Sequence, residues 1–161
     1  MKNSGFQPNV YTYSIVIDAL CRSGQTVRAH DVFTDVIEAG IEPNSITFNN
    51  LMRVHVKGRR TEKVLQVYNQ MKNLSWPAGT VTYNFLIQSH CWDENHDEAF
   101  KVLNVMVKKG CAPNANTFKL IFKCTSKSED VNVAHRLYAK MKELNCKPNT
   151  VSKYMIWFWN S

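Results

Sequence analysis

The chain of 161 residues is 44% hydrophobic and only 20% charged, a composition that excludes intrinsic disorder. Its formal charge of +7 fits a polyanionic partner or simply a basic surface, and no apolar run is long enough to cross a bilayer. The five cysteines (Cys21, Cys91, Cys111, Cys124 and Cys146) are odd in number and lack Cys-x-x-Cys spacing, which argues against a disulfide framework and fits a reducing compartment.

The opening residues MKNSGFQPN contain no apolar stretch and are neither a signal nor a transit peptide, so any targeting segment is expected upstream. Residues 1–9 read as the end of a preceding helical unit. A first helix is predicted over 11–22, where Tyr13, Val16, Ile17 and Leu20 recur at helical spacing. SGQ at 23–25 breaks it, and a second helix follows over 26–39, closed by Gly40 and then Pro43. The same order returns with helices over 46–57 and 61–73, separated by KGR at 57–59. It returns again over 81–92 and 96–109, closed by Gly110 and Pro113, and over 116–126 and 131–144, closed by Asn145 and Pro148. The remaining VSKYMIWFWNS begins another first helix.

This recurrence has a period of 35 residues. Thr12, Thr47, Thr82 and Thr117 are in register, each followed by an aromatic residue (Tyr13, Phe48, Tyr83, Phe118), and Ser152 continues the series. Ala29, Val64, Ala99 and Ala134 are in phase, as are Phe33, Tyr68, Leu103 and Tyr138, and Val36, Met71, Met106 and Met141. Pro8, Pro43, Pro113 and Pro148 mark the boundaries, with Pro77 shifted. The predicted organisation is the end of a unit at 1–9, four units at 10–44, 45–79, 80–114 and 115–149, and the start of a fifth at 150–161. A single helical hairpin cannot bury its apolar face alone, so the units must stack into an all-α solenoid of tandem helix-turn-helix repeats with a concave surface. The aromatic and Met rows are expected in the core. Thr12 and its equivalents are expected to cap or buttress the first helices.

No catalytic chemistry is apparent. There is no nucleophile motif, phosphate-binding glycine loop or His-Glu-x-x-His, and the zinc deaminase pattern is absent. Of the five histidines (His30, His55, His90, His96 and His135), His30 and His135 fall in register, while His90 and His96 near Cys91 lack a second pair to complete a zinc site. No metal, cofactor or enzymatic activity is expected of this chain.

TVTYNFLI at 80–87, MVKKGCAPN at 106–114 and MKELNCKPN at 141–149, repeated at constant period, resemble the pentatricopeptide repeat, and the uniform spacing is similar to the P-type class of plant organellar proteins. The 34-residue tetratricopeptide repeat and its Trp/Gly/Tyr pattern do not fit. The resemblance implies a right-handed superhelix that binds single-stranded RNA, about one base per repeat, in processing, stabilising, splicing or translating organelle transcripts. It implies reading pairs at Ser14 with Asn44, Asn49 with Gly79, Asn84 with Asn114, and Lys119 with Asn149. The first pair would prefer adenine, the second loosely a pyrimidine, and the third cytosine with some tolerance of uracil. Lys119 departs from the pattern and leaves the fourth base unassigned, and the N-terminal repeat would face the 5′ end.

The residue before each Thr would also face a base: Tyr11 by stacking, Ile46 and Val81 by apolar contact, with Asn116 breaking the row. Arg22, Lys57 and Lys127 share a position suited to phosphates, interrupted by Trp92. Asn49 and Asn84 have a duller reading as local helix-start residues. The competing functions are a scaffold for protein–protein interaction, the RNA-binding part of an enzyme whose catalytic domain lies elsewhere, or self-association through Trp157, Phe158 and Trp159. No membrane partner is expected. The resemblance favours the mitochondrion, with the chloroplast next.

Overall fold

The computed structural model describes residues 9–125 and 131–145, and among these it holds eight α-helices and no strand. They are α1 (Val10–Arg22), α2 (Thr26–Glu38), α3 (Ser45–Lys57), α4 (Thr61–Asn73), α5 (Thr80–Trp92), α6 (His96–Lys108), α7 (Ala115–Thr125) and α8 (Val131–Glu143). The odd helices start at 10, 45, 80 and 115 and the even ones at 26, 61, 96 and 131, so both sets step by the 35 residues of the sequence period. The expected all-α fold of paired helices is therefore present, with boundaries within one residue of those read from the sequence. Pro8, Lys127, Cys146, Pro148, Asn149 and the segment 150–161 with its Trp157, Phe158 and Trp159 lie outside the described residues, as does all of the 1–9 segment but Asn9. No described helix is long and apolar enough to cross a membrane.

One device closes nearly every helix. After α2, the Ile41 N–H donates to the Val36 carbonyl and the Gly40 N–H to that of Ile37, both at 3.0 Å, with Gly40 at φ +72°. This double bond satisfies carbonyls that the helix end leaves open, and it requires a left-handed residue between them. Trp76 to Met71 and Cys111 to Met106 repeat the closure. The left-handed residue is Ser75 after α4, Gly110 after α6 and Asn145 after α8. The turns inside the pairs use the same geometry at Gly24, Arg59 and Glu94. At the second of these turns the glycine, Gly58, has an ordinary φ of −81°, and Arg59 carries the left-handed strain at φ +53°.

The chain divides into two compact units, Met1–Phe85 and Leu86–Ser161, with the division inside α5. In the first, Ile17, Phe33, Val36, Phe48, Leu51, Met52, Val64, Val67 and Met71 are fully buried, and the Phe33 and Phe48 rings meet edge to face at 5.4 Å. In the second, Ile87, Phe100, Leu103, Phe118, Ile121, Leu137 and Met141 form one cluster drawn from α5 to α8. Each such side chain contributes about 1.5–3 kcal/mol on leaving water, which is why neither member of a helical pair stands alone.

The expected core rows hold at Ala29, Val64 and Ala99, and at Val36, Met71, Met106 and Met141. The aromatic row of the second helices is corrected. Phe33 and Leu103 are buried, but Tyr68 is half-buried and Tyr138 is 39% exposed. Both tyrosines carry a lysine over the ring, Lys72 at 5.0 Å and Lys142 at 5.9 Å. A phenol that keeps its hydroxyl near water and its face under a cation has no need to enter the core.

His55 is 3% exposed, neither of its ring nitrogens has a hydrogen-bond partner, and its ring lies 6.0 Å from that of His30. Burial, reinforced by the neighbouring His30, Arg60 and Lys63, lowers its pKa to about 4. A histidine neutral in the fold but titrating near 6.5 when unfolded stabilises the native state above that value, and the contribution is lost as pH falls through 4. The loss amounts to about 3 kcal/mol. In urea titrations between pH 7 and pH 4, the native chain is expected to lose stability relative to a His55→Leu variant by roughly that amount. A pH-independent difference between the two would contradict the assignment.

Candidate nucleic-acid interface

The amino ends of the first helices are built by an asparagine and a threonine three residues apart. The Asn44 side-chain oxygen accepts the backbone N–H and the hydroxyl of Thr47, each at 3.0 Å. Asn9 with Thr12 and Asn114 with Thr117 do the same, and the Asn114 N–H also donates to the Thr117 hydroxyl at 3.1 Å to complete a reciprocal box. The cap is therefore the asparagine, and the threonine supports it from inside: Thr47, Thr82 and Thr117 are buried. The spacing Asn-x-x-Thr at 9–12, 44–47 and 114–117 carried this signal, and the sequence reading used only its threonines for capping.

The threonines also reach the preceding first helix. Thr47 Oγ1 lies 2.7 Å from Ser14 Oγ, and the Thr82 hydroxyl donates to Asn49 Oδ1 at 3.0 Å. Ser14 donates to the Val10 carbonyl at 2.7 Å and lies 3.4 Å from Asn44 Oδ1. The structure thus brings Ser14 and Asn44 together across 30 residues of sequence. The partner of Asn49 Oδ1 is 33 residues away rather than local, so this side chain links two first helices. Because the Asn44 oxygen is committed to the cap, its Nδ2 takes no part there and acts only as a donor.

The other candidates are placed as follows. A side chain at Gly79 would meet nothing within 4 Å. Asn84 is 6% exposed in the first unit, whereas Asn114, Asn116 and Lys119 are exposed in the second. Tyr11, Ile46 and Val81 are 67%, 56% and 52% exposed, an unusual state for three apolar side chains recurring in one register.

The cation row is less simple than its spacing suggests. Arg22 pairs with Asp18 at 2.7 Å, and the same carboxylate holds Arg53 of α3 at 2.6 Å, so Asp18 offsets much of the charge expected from Arg22. Lys57 is exposed at the end of α3. Where Trp92 interrupts the row, Lys123 of α7 sits over its indole at 6.0 Å and restores a cation that sequence reasoning overlooked. Among the described residues, no group of three or more His, Cys, Asp or Glu is placed to hold a metal ion.

Comparison with known families gives three matches: the PPR repeat family over residues 78–127, the pentatricopeptide repeat domain over 1–59, and the PPR repeat over 46–75. Among solved structures, the pentatricopeptide repeat protein PPR10 from maize is 25% identical with a TM-score of 0.84, over 94% of this chain and 22% of that one. PPR10 in complex with an 18-nt psaJ RNA element is 23% identical with a TM-score of 0.79, over 95% and 22%. The PPR domain of Arabidopsis thaliana protein-only RNase P 1, in complex with tRNA, is 21% identical with a TM-score of 0.77, over 97% and 82%. The chain thus spans about a fifth of the maize protein it resembles. No curated protein sequence matches it.

Replacing Thr82 by valine keeps the shape and leaves the Asn49 oxygen without its donor. This is expected to cost about 1–2 kcal/mol in chemical denaturation. A double-mutant cycle with Asn49→Ala should show coupling of about 1 kcal/mol; additive losses would mean that the two side chains act independently.

Proposed function

Because the chain belongs to the pentatricopeptide repeat family, we propose that it binds single-stranded RNA through the amino ends of its first helices, about one base per unit and without catalysis. The units are those at 10–44, 45–79, 80–114 and 115–149. The observation that supports this most directly is the Ser14–Asn44 pair, two polar side chains brought within 3.4 Å of each other across helices, with Tyr11 and Ile46 of the same helix starts exposed. Unstacked bases offer hydrogen-bonding edges and flat faces, and the pair with its apolar neighbours complements both.

The cap sharpens the base assignment. Adenine N1 and cytosine N3 accept hydrogen bonds, whereas guanine N1 and uracil N3 carry hydrogens. An asparagine whose oxygen is held by Thr47 or Thr117 offers only N–H groups, so Asn44 favours adenine over guanine, and Asn114 favours cytosine over uracil. Ser14 Oγ adds a lone pair for the adenine amino group. Asn49 with Gly79 reads a pyrimidine loosely, and Lys119 is assigned no base. The site is A-pyrimidine-C from the 5′ end, with Lys57 and the partly neutralised Arg22 near phosphates.

For the whole protein, the proposed role is in processing, stabilising, splicing or translating organelle transcripts, in the mitochondrion before the chloroplast. A fluorescent fusion of the full-length protein tests the compartment. Self-association through 150–161 is a separate proposal resting on sequence alone, tested by sedimentation velocity.

Binding of labelled single-stranded RNA carrying A-Y-C, followed by anisotropy, should exceed that of scrambled RNA and weaken steeply with salt. Binding no better than an unrelated polyanion at low salt would overturn the reading. Asn44→Asp is the sharper probe. Aspartate caps a helix as well as asparagine does, so thermal stability should hold. The outward donor becomes an acceptor, and preference at the first base should move from adenine to guanine by about tenfold, the scale of one well-placed base contact. An unchanged preference with an intact fold would remove Asn44 from the reading pair.

A further inference from the structure

Two cysteines of the second unit meet across helices. Cys91 stands near the end of α5 and Cys124 near the end of α7, and the Cys91 thiol faces Cys124 across the same 33-residue spacing that brings Ser14 to Thr47 and Asn49 to Thr82. It also points at the Leu120 carbonyl, 3.8 Å away. Both are free cysteines and line a cavity of about 70 Å³ with Gln88, Trp92, Leu120 and Lys123. Cys91 is half-buried and Cys124 is 6% exposed, while His96 Nε2, 3.2 Å from the Cys124 carbonyl, holds the backbone at the second sulfur. Cys21 is buried and Cys111 is half-buried.

We propose that Cys91 and Cys124 are a dithiol modification site, oxidised by low-molecular-weight disulfides of the glutathione class to a disulfide that joins α5 to α7. The proposal is independent of RNA binding. Cys91, the less buried of the two, gives up its proton, and its sulfur attacks glutathione disulfide. That S–S bond breaks, and one glutathione leaves as the thiol. Cys124 then loses its proton and attacks the Cys91 sulfur of the mixed disulfide, expelling the second glutathione. Two protein thiols are oxidised by two electrons, and one glutathione disulfide is reduced to two thiols.

Cys91 Sγ lies 3.8 Å from the carbonyl of Leu120, one helical turn before Cys124, and side-chain rotation must bring the two sulfurs to about 2.05 Å. The hydrogen bond to Cys124, with burial second, holds the Cys91 thiol well above the ordinary thiol range. Thiolate is therefore scarce, and the bond forms slowly, under sustained rather than momentary oxidation.

The test uses the full chain in glutathione redox buffers, quenched by alkylation and mapped by mass spectrometry after proteolysis. A linked pair of peptides carrying Cys91 and Cys124, two hydrogens lighter than their sum, is expected as the main intramolecular product. It should vanish in Cys91→Ser and in Cys124→Ser, and Cys124→Ser should accumulate glutathione on Cys91. Helical circular dichroism checks that the variants fold, and if one does not, mapping of the unaltered chain still decides. A main product joining other cysteines, or Cys91 held only as a mixed disulfide in the unaltered chain, would overturn the proposal.

Discussion

The amide oxygen of Asn44 has two lone pairs, and Thr47 supplies a donor to each. That small saturated contact fixes where α3 begins, which way the asparagine faces and where the threonine hydroxyl is held. The hydroxyl is shared with Ser14 of α1, so the start of one first helix is joined to the polar side chain of the one before it. Asn9–Thr12 and Asn114–Thr117 repeat the cap, and Thr82–Asn49 repeats the link between helices. Recognition in such an array needs side chains held at regular intervals, and a hydrogen-bonded cap supplies this more firmly than a loop would.

The apolar core and the left-handed turns supply the framework for that contact. Fully buried Phe33, Phe48, Leu51 and Met71 hold the first unit together, while the residues at 24, 40 and 110 turn the chain at the cost only glycine avoids. Arg59, Ser75 and Glu94 turn it the same way despite their side chains, which shows the hairpin geometry overruling local preference.

Most of the fold was legible because the period supplied four aligned copies of each helix start and stop. The boundaries came within a residue, since cap and stop residues act locally. Burial of Tyr68 and Tyr138 was misread because hydrophobic periodicity treats tyrosine as apolar and cannot see the lysine one turn on. At the candidate interface, the positions came from resemblance, but the capping bonds of Asn44 and Asn114 did not. A side chain that caps a helix and also offers a donor looks in sequence like either one alone. The Asp18–Arg22–Arg53 group was illegible for a related reason: Asp18 and Arg53 are one full period apart and meet only when consecutive units pack.

Gly79 stands where Asn44 and Asn114 stand in their own units, in an ordinary backbone state and with open space around its missing side chain. Its carbonyl still accepts the Tyr83 N–H, so the first turn of α5 closes with a glycine at this position. The position is thus freed from the fold. Most residues could occupy it without disturbing a neighbour, and on the proposed reading each would alter what the second unit admits. Here the array can drift towards a new ligand in single, structurally silent steps, whereas the same change at Asn44 would have to preserve a helix.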